Sequence, residues 1–156
     1  MLDVNAGLPG IDEPATLEQL VRDLQAVTDL PLQLDSSNPD ALSHALRIYN
    51  GKPIVNSVNG EQSTLDMILP LCKKYGAAVV GLALDEHGIP ATADGRFAIA
   101  QRIVKAANAV GIPNEDIYID CLTLTASAQQ EGAVQTLEAL TRCKKELGVR
   151  TVLGVS

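Results

Sequence analysis

The stretch LQLDSSNPDAL, residues 32–42, decides how the rest of this chain is read. Leu32, Gln33, Leu34 and Asp35 alternate aliphatic and polar side chains, the period of a strand with only one face under apolar cover. Ser36, Ser37 and Asn38 then lead into Pro39, a capping residue followed by proline at the first helical position. A short strand that ends in an acid and passes straight into a helix is one βα unit.

Working outward, the same unit recurs along all 156 residues. Strands are predicted at Leu2–Asn5, Leu32–Asp35, Ile54–Ser57, Ala78–Leu84, Ile117–Asp120 and Thr151–Val155. Helices are predicted near 14–28, 39–50, 61–75, 94–110 and 131–147, and Leu65, Ile68, Leu69 and Cys72 form one apolar stripe in the third. Pro70 should bend that helix or free a carbonyl. Gly51, Gly76, Gly111 and Gly148 follow four of the helices, where left-handed caps belong. No repeat or linker interrupts the pattern, so residues 1–156 read as one α/β domain with a parallel sheet.

The two faces of the strands choose between an open sheet and a barrel. One parity is aliphatic: Leu2, Val4, Leu32, Leu34, Val55, Val80, Leu82, Leu84, Ile117, Ile119, Leu153 and Val155. The other reads Asp3, Asn5, Gln33, Asp35, Ile54, Asn56, Val79, Gly81, Ala83, Asp85, Tyr118, Asp120, Val152, Gly154 and Ser156, and is taken as small or polar. A doubly wound sheet is covered on both sides and wants two aliphatic faces. A small and polar face suits the inside of a (β/α) barrel, and no GxGxxG turn argues otherwise. A complete barrel has eight strands, so the six here are expected to form an incomplete (β/α)8 barrel. That reading takes the first βα unit and the end of the barrel to be missing.

Composition narrows the function. A net charge of −7 disfavours a nucleic-acid partner, which would call for clustered Lys and Arg. Cys72, Cys121 and Cys143 match neither a disulfide framework nor a CxxC knuckle, which points to a reducing, cytoplasmic setting. No signal peptide is evident and no apolar run approaches a membrane span.

Asp3, Asn5, Asp35, Asn56, Asp85, Asp120 and Ser156 all fall at the C-terminal ends of strands, the face on which barrel enzymes keep their sites. Three explanations compete: helix capping, oxygen ligands for a hard metal such as Mg²⁺, or paired hydrogen bonds to an uncharged, nitrogen-rich ring. Asp85 is read as a cap or loop residue. Capping alone does not account for the regularity of Asp35, Asn56 and Asp120.

The blocks LDVN, LQLDSSNPDAL, KPIVNSVNGE, YGAAVVGLALDEHGIPAT, GIPNEDIYIDCLTL and TVLGVS together resemble, in order and over essentially the whole chain, the pterin-binding methyltransferases. That family includes methyltetrahydrofolate:corrinoid methyltransferases and the folate domain of cobalamin-dependent methionine synthase, with dihydropteroate synthase more distant. The resemblance implies a (β/α)8 barrel in which Asp35, Asn56 and Asp120 hydrogen-bond the pterin, with Asp3 and Asn5 lining the same site. It also implies methyltetrahydrofolate as substrate and a cobalamin or other corrinoid carried by another domain or protein as methyl acceptor. No metal is expected. In the family the last strand continues from GVS into an asparagine that contacts N5 of the folate, one residue past Ser156. The catalytic role is therefore expected to lie outside this chain. Its alternatives are a catalytically silent pterin-binding or structural fragment, a dihydropteroate synthase-like enzyme, or a Mg²⁺-dependent barrel. Open sheet edges would favour a homodimer.

The remaining reactive side chains read as structural. His87 is taken as an exposed loop residue and His44 as a helix-surface one; the cysteines are taken as small buried hydrophobes. The lysines avoid the strand ends, which removes a Schiff-base chemistry.

Overall fold

A computed structural model describes residues 1–123 and 130–154; Val155, Ser156 and residues 124–129 lie outside the described residues. The strands are β1 (Leu2–Asn5), β2 (Leu32–Asp35), β3 (Ile54–Val58), β4 (Ala78–Leu82), β5 (Ile117–Asp120) and β6 (Arg150–Val152). Between them run α1 (Glu13–Val27), α2 (Pro39–Ile48), α3 (Gln62–Tyr75), α4 (Ala93–Ala109) and α5 (Gln130–Arg142), the last continued by a π-helical turn over Cys143–Leu147. The sheet order is β1 through β6 in sequence, with every neighbouring pair parallel. Each helix therefore moves the chain one strand along in a constant direction, as in a (β/α) barrel and unlike the reversing order of a doubly wound sheet. Among the described residues β6 does not pair with β1, so the strands form an open arc, an incomplete barrel.

The local signals act where the sequence placed them. Asn38 caps α2, its Oδ1 accepting from the backbone N–H groups of Asp40 and Ala41 at 3.0 and 3.4 Å. The α3 helix runs through Pro70 and stops at Gly76, whose φ of 69° is a left-handed cap. Leu32, Leu34, Val55, Val79, Ile117 and Ile119 have no exposed surface and join Leu17, Val21, Leu42 and Ile103 of the helices in one core. Each such side chain contributes roughly 1.5–3 kcal/mol of burial.

One strand reads the other way round. The ladder matches Val55 with Val79 and Asn56 with Val80, so Val79 and Gly81 face the helices while Val80 and Leu82 face the interior. Gly81 confirms the direction: a Cβ there would stand 2.8 Å from Ile103 Cγ2 of α4. The expected parity of Ala78–Leu84 is thus inverted. Val79, Val80 and Ala83 are all buried, so alternation in this aliphatic run carried no signal.

The strand also ends early, at Leu82. The Leu84 N–H turns back to the Leu82 carbonyl at 2.8 Å, and the Leu84 carbonyl accepts from Gly60 N–H at 2.7 Å. At the last strand, pairing among the described residues ends at Val152, and the Gly154 N–H goes to Asp120 Oδ2 at 3.0 Å; the expected end at Val155 lies outside the described residues.

Candidate functional site

The interior face brings polar side chains into register. Asn5, Asp35 and Asn56 are direct ladder partners on adjacent strands, and the row continues through Val80 and Tyr118 to Arg150. Neighbouring strands lie about 4.8 Å apart, so an amide, a carboxylate and a second amide stand side by side. One layer below, Gln33 Nε2 donates to Asp3 Oδ1 at 2.7 Å, which ties Asp3 into the floor. At the far end of the row Arg150 Nη1 donates to the Tyr118 hydroxyl at 3.0 Å.

The row has an orientation. Asn5 Oδ1 accepts from Gly7 N–H at 2.8 Å, closing the turn after β1, which turns the amide nitrogen away from that bond; Asn5 is the ladder partner of Asp35. Burial raises the Asp35 carboxyl above the ordinary carboxylate range; the neighbouring Asn5 side chain opposes that rise and the nearby charge of Asp3 adds to it. Asp35 is therefore a carboxylate whose partial desolvation is only partly compensated within the protein.

A cleft of about 520 Å³ opens over this end of the sheet, walled by Asn5, Glu13, Asp35, Asn56, Leu8 and Ile11. Leu8 and Ile11 are exposed at its mouth, 66% and 43%, so the polar floor has an apolar rim. Glu13 ties two walls together: the Ser36 hydroxyl donates to its Oε1 at 2.5 Å, and Asn38 Nδ2 donates to Oε2 at 3.3 Å. Ser36 Oγ in turn accepts from Asn38 N–H at 3.0 Å. Sequence reading passed over Glu13, because an acid in the first turn of a helix is already favoured by the helix dipole.

Asp120 shares the interior face but stands apart from the other two. It pairs with Leu82, one layer beyond the row and two strands from Asn56, and does not line the cleft. It is 6% exposed, and its oxygens accept from Leu122 N–H at 2.7 Å and Gly154 N–H at 3.0 Å. Ser156 lies outside the described residues. Asp85 is a loop residue, accepting from His87 N–H and from Arg102 Nη2, and His87 is exposed beside it. His44 is an exposed partner of Glu18.

Cys72, Cys121 and Cys143 are free and buried, with Cys121 Sγ 3.9 Å from Cys143 Sγ. Burial lifts the Cys72 thiol to about 12. Cys121 is raised by its hydrogen bond to Cys143 and by burial. Among the described residues no helix is long and apolar enough to cross a membrane.

A row of alternating amide and carboxylate groups can meet a flat ring edge-on, since a carboxylate accepts two parallel N–H bonds and an amide both donates and accepts. The family model described as pterin binding enzyme matches residues 1–156. Methionine synthase of Mycobacterium leprae (strain TN) is 32% identical over 167 residues, covering 100% of this chain and 14% of that protein. The Mycobacterium tuberculosis (strain ATCC 25618 / H37Rv) methionine synthase is 33% identical with the same coverage. Methylcorrinoid:tetrahydrofolate methyltransferase of Eubacterium limosum is 27% identical over 130 residues, 82% of this chain and 48% of that protein. The chain thus spans less than half the length of these curated relatives. Among solved structures, Burkholderia cenocepacia dihydropteroate synthase superposes with a TM-score of 0.57 at 22% identity, covering 76% of this chain and 46% of that one. Yersinia pestis dihydropteroate synthase with a pterine-sulfa conjugate gives 0.57 at 14% identity, covering 92% and 52%. At such identities the structural likeness is one of fold. The match of the family model over the full chain carries the assignment: the chain belongs to the pterin-binding enzymes.

Proposed function

We propose that this domain binds methyltetrahydrofolate by its pterin and supports transfer of the N5 methyl group to a corrinoid held by another domain or protein. The single observation that carries the reading is the Asn5–Asp35–Asn56 row on the floor of the cleft. A pterin presents, along one edge, an amino group and a ring N–H beside a carbonyl oxygen. Asp35 accepts the two donors in parallel, and the flanking amides take up the remaining donors and acceptors. Asp120 provides a further acceptor one layer higher, where the far part of the ring system would lie.

The corrinoid supplies the methyl acceptor when its carrier docks over the strand ends, where Leu8 and Ile11 offer apolar contact. The chain's own residues bind and orient the pterin. An N5 of tetrahydrofolate is a poor leaving group, and a proton or hydrogen bond supplied there as the bond breaks would stabilise the transition state. Fixing the ring on the row determines where N5 points, which is a contribution from orientation.

A second reading, binding without turnover, is favoured by Asp120, whose oxygens already accept two backbone N–H groups. Methyl transfer from methyltetrahydrofolate to a reduced corrinoid protein, followed with the wild-type chain and with Asn56→Ala, separates the two. Transfer lost in the variant supports the first reading; pterin binding with no transfer in the wild type supports the second. The buried free thiols agree with a reducing, cytoplasmic location.

A further inference from the structure

Arg96 of α4 is 3% exposed, and among the described residues its hydrogen bonds go to carbonyl and hydroxyl oxygens. Its Nε donates to the Pro90 carbonyl at 2.8 Å. Its Nη1 donates to the carbonyls of Cys121 and Leu122 at 3.1 and 2.8 Å, and to Thr136 Oγ1 at 2.5 Å. One guanidinium thus joins the loop after β4, the turn after β5 and helix α5. Burying a cation carries a desolvation cost that its partners must offset, so the arrangement asks for a reason.

The turn it grips is the one that fixes Asp120. Leu122 has a φ of 58°, the left-handed region that a leucine rarely adopts. The Leu122 N–H donates to Asp120 Oδ1 at 2.7 Å, while its carbonyl accepts from both Arg96 Nη1 and Thr136 Oγ1, the latter at 3.0 Å. Residue 122 is therefore held at both ends, by the arginine on one side and the aspartate on the other.

We propose that Arg96 is a positioning residue for the pterin site: it holds Leu122 in its left-handed turn and so aims the Asp120 carboxylate at the interior. The proposal rests on the pterin reading given above, in which Asp120 meets the ligand. Lysine in place of Arg96 keeps the charge but lacks the planar fork that reaches separate carbonyls. Without that grip Leu122 relaxes to a right-handed conformation and Asp120 loses one of its two N–H partners, keeping only that of Gly154.

The test uses the full chain with Arg96→Lys, Asp120→Asn and the double variant, titrated with methyltetrahydrofolate in a calorimeter. Arg96→Lys is expected to weaken binding on the order of tenfold, and the double variant should be no weaker than Asp120→Asn alone. With Asp35→Asn the effect of Arg96→Lys should instead multiply. A loss that multiplies equally with both aspartate variants, or no loss, overturns the proposal. Amide exchange read without ligand keeps the outcome independent of function. The Leu122 N–H should exchange faster in Arg96→Lys while β2 and β3 stay protected, and an unchanged Leu122 rate contradicts the positioning role. Should Arg96→Lys fail to fold, Thr136→Val removes a second donor from the same carbonyl and should shift Leu122 exchange in the same direction. No pterin binding by the wild-type chain, with Leu122 still exchanging faster in Arg96→Lys, would refute the ligand and leave the effect on the turn intact.

Discussion

Asp35 and Asn5 are ladder partners at the ends of adjacent strands, and burial pushes the Asp35 carboxyl above its ordinary range while the neighbouring Asn5 side chain opposes that rise. A raised carboxyl means that the folded chain holds its proton more tightly than the unfolded chain. The contribution of this group to stability is then largest below the unfolded value near 4 and falls as pH rises through the folded value. At neutral pH the site carries a charge that the fold would rather neutralise. Asp35→Asn is accordingly expected to leave thermal stability at pH 7 unchanged or higher, while pterin affinity falls by about 1.5–3 kcal/mol. Melting curves and calorimetry on the same preparation check both halves.

Glu13 should matter for the shape of the cleft. Ser36 is 5% exposed and donates its hydroxyl to Glu13, so Glu13→Ala removes the acceptor from a nearly buried donor. A stability loss of about 1–3 kcal/mol in urea unfolding is expected, with weaker pterin binding beside it. Glu13→Gln keeps an acceptor oxygen and should lose much less.

Gly81 tests the corrected face of β4. Because its Cβ position lies 2.8 Å from Ile103, Gly81→Ala overfills the layer between strand and helix. About 1–3 kcal/mol of destabilisation is expected by chemical unfolding. Trimming the neighbour in Gly81→Ala/Ile103→Val should recover part of it. A Gly81→Ala chain of wild-type stability would return Gly81 to the interior face.

The thiols give a probe of the core. Cys72 is raised to about 12 and Cys121 is raised as well, both buried, so both stay protonated and shielded at pH 8. Labelling by a thiol reagent should be slow in the native chain and complete in denaturant. Rapid native labelling of Cys72 would mean that α3 is not seated on the sheet.

Association should depend on concentration. In the described residues β1 pairs only with β2 and β6 only with β5, so each outer strand carries unpaired backbone groups. Sedimentation across a wide dilution series is expected to show dimers or larger species that dissociate on dilution.

How much of this was legible in the sequence depended on the contrast between faces. The β2 strand, with Leu32 and Leu34 against Gln33 and Asp35, matched the structure residue for residue because its alternation was unambiguous. The β4 strand, AVVGL, has no such contrast, and its parity was set by α4 packing onto Gly81, a contact that strand alternation cannot show. At the site, the strand-end position of Asp35, Asn56 and Asp120 was readable, but their grouping was not. Register, which only the fold supplies, put Asn5 rather than Asp120 beside Asp35. Glu13 and Arg96 were invisible for a related reason. Their roles lie in contacts made 23 to 40 residues away, with Ser36 and with the turn and helix around Leu122 and Thr136.

The central claim is that the Asn5–Asp35–Asn56 row binds the pterin of methyltetrahydrofolate without a metal. Its most direct measurement is a calorimetric titration of the chain with methyltetrahydrofolate in the presence of a chelator, repeated with Asp35→Asn. Saturable one-to-one binding that the substitution weakens at least tenfold is the expected result. No binding, binding indifferent to Asp35→Asn, or binding that appears only when Mg²⁺ is restored would contradict it.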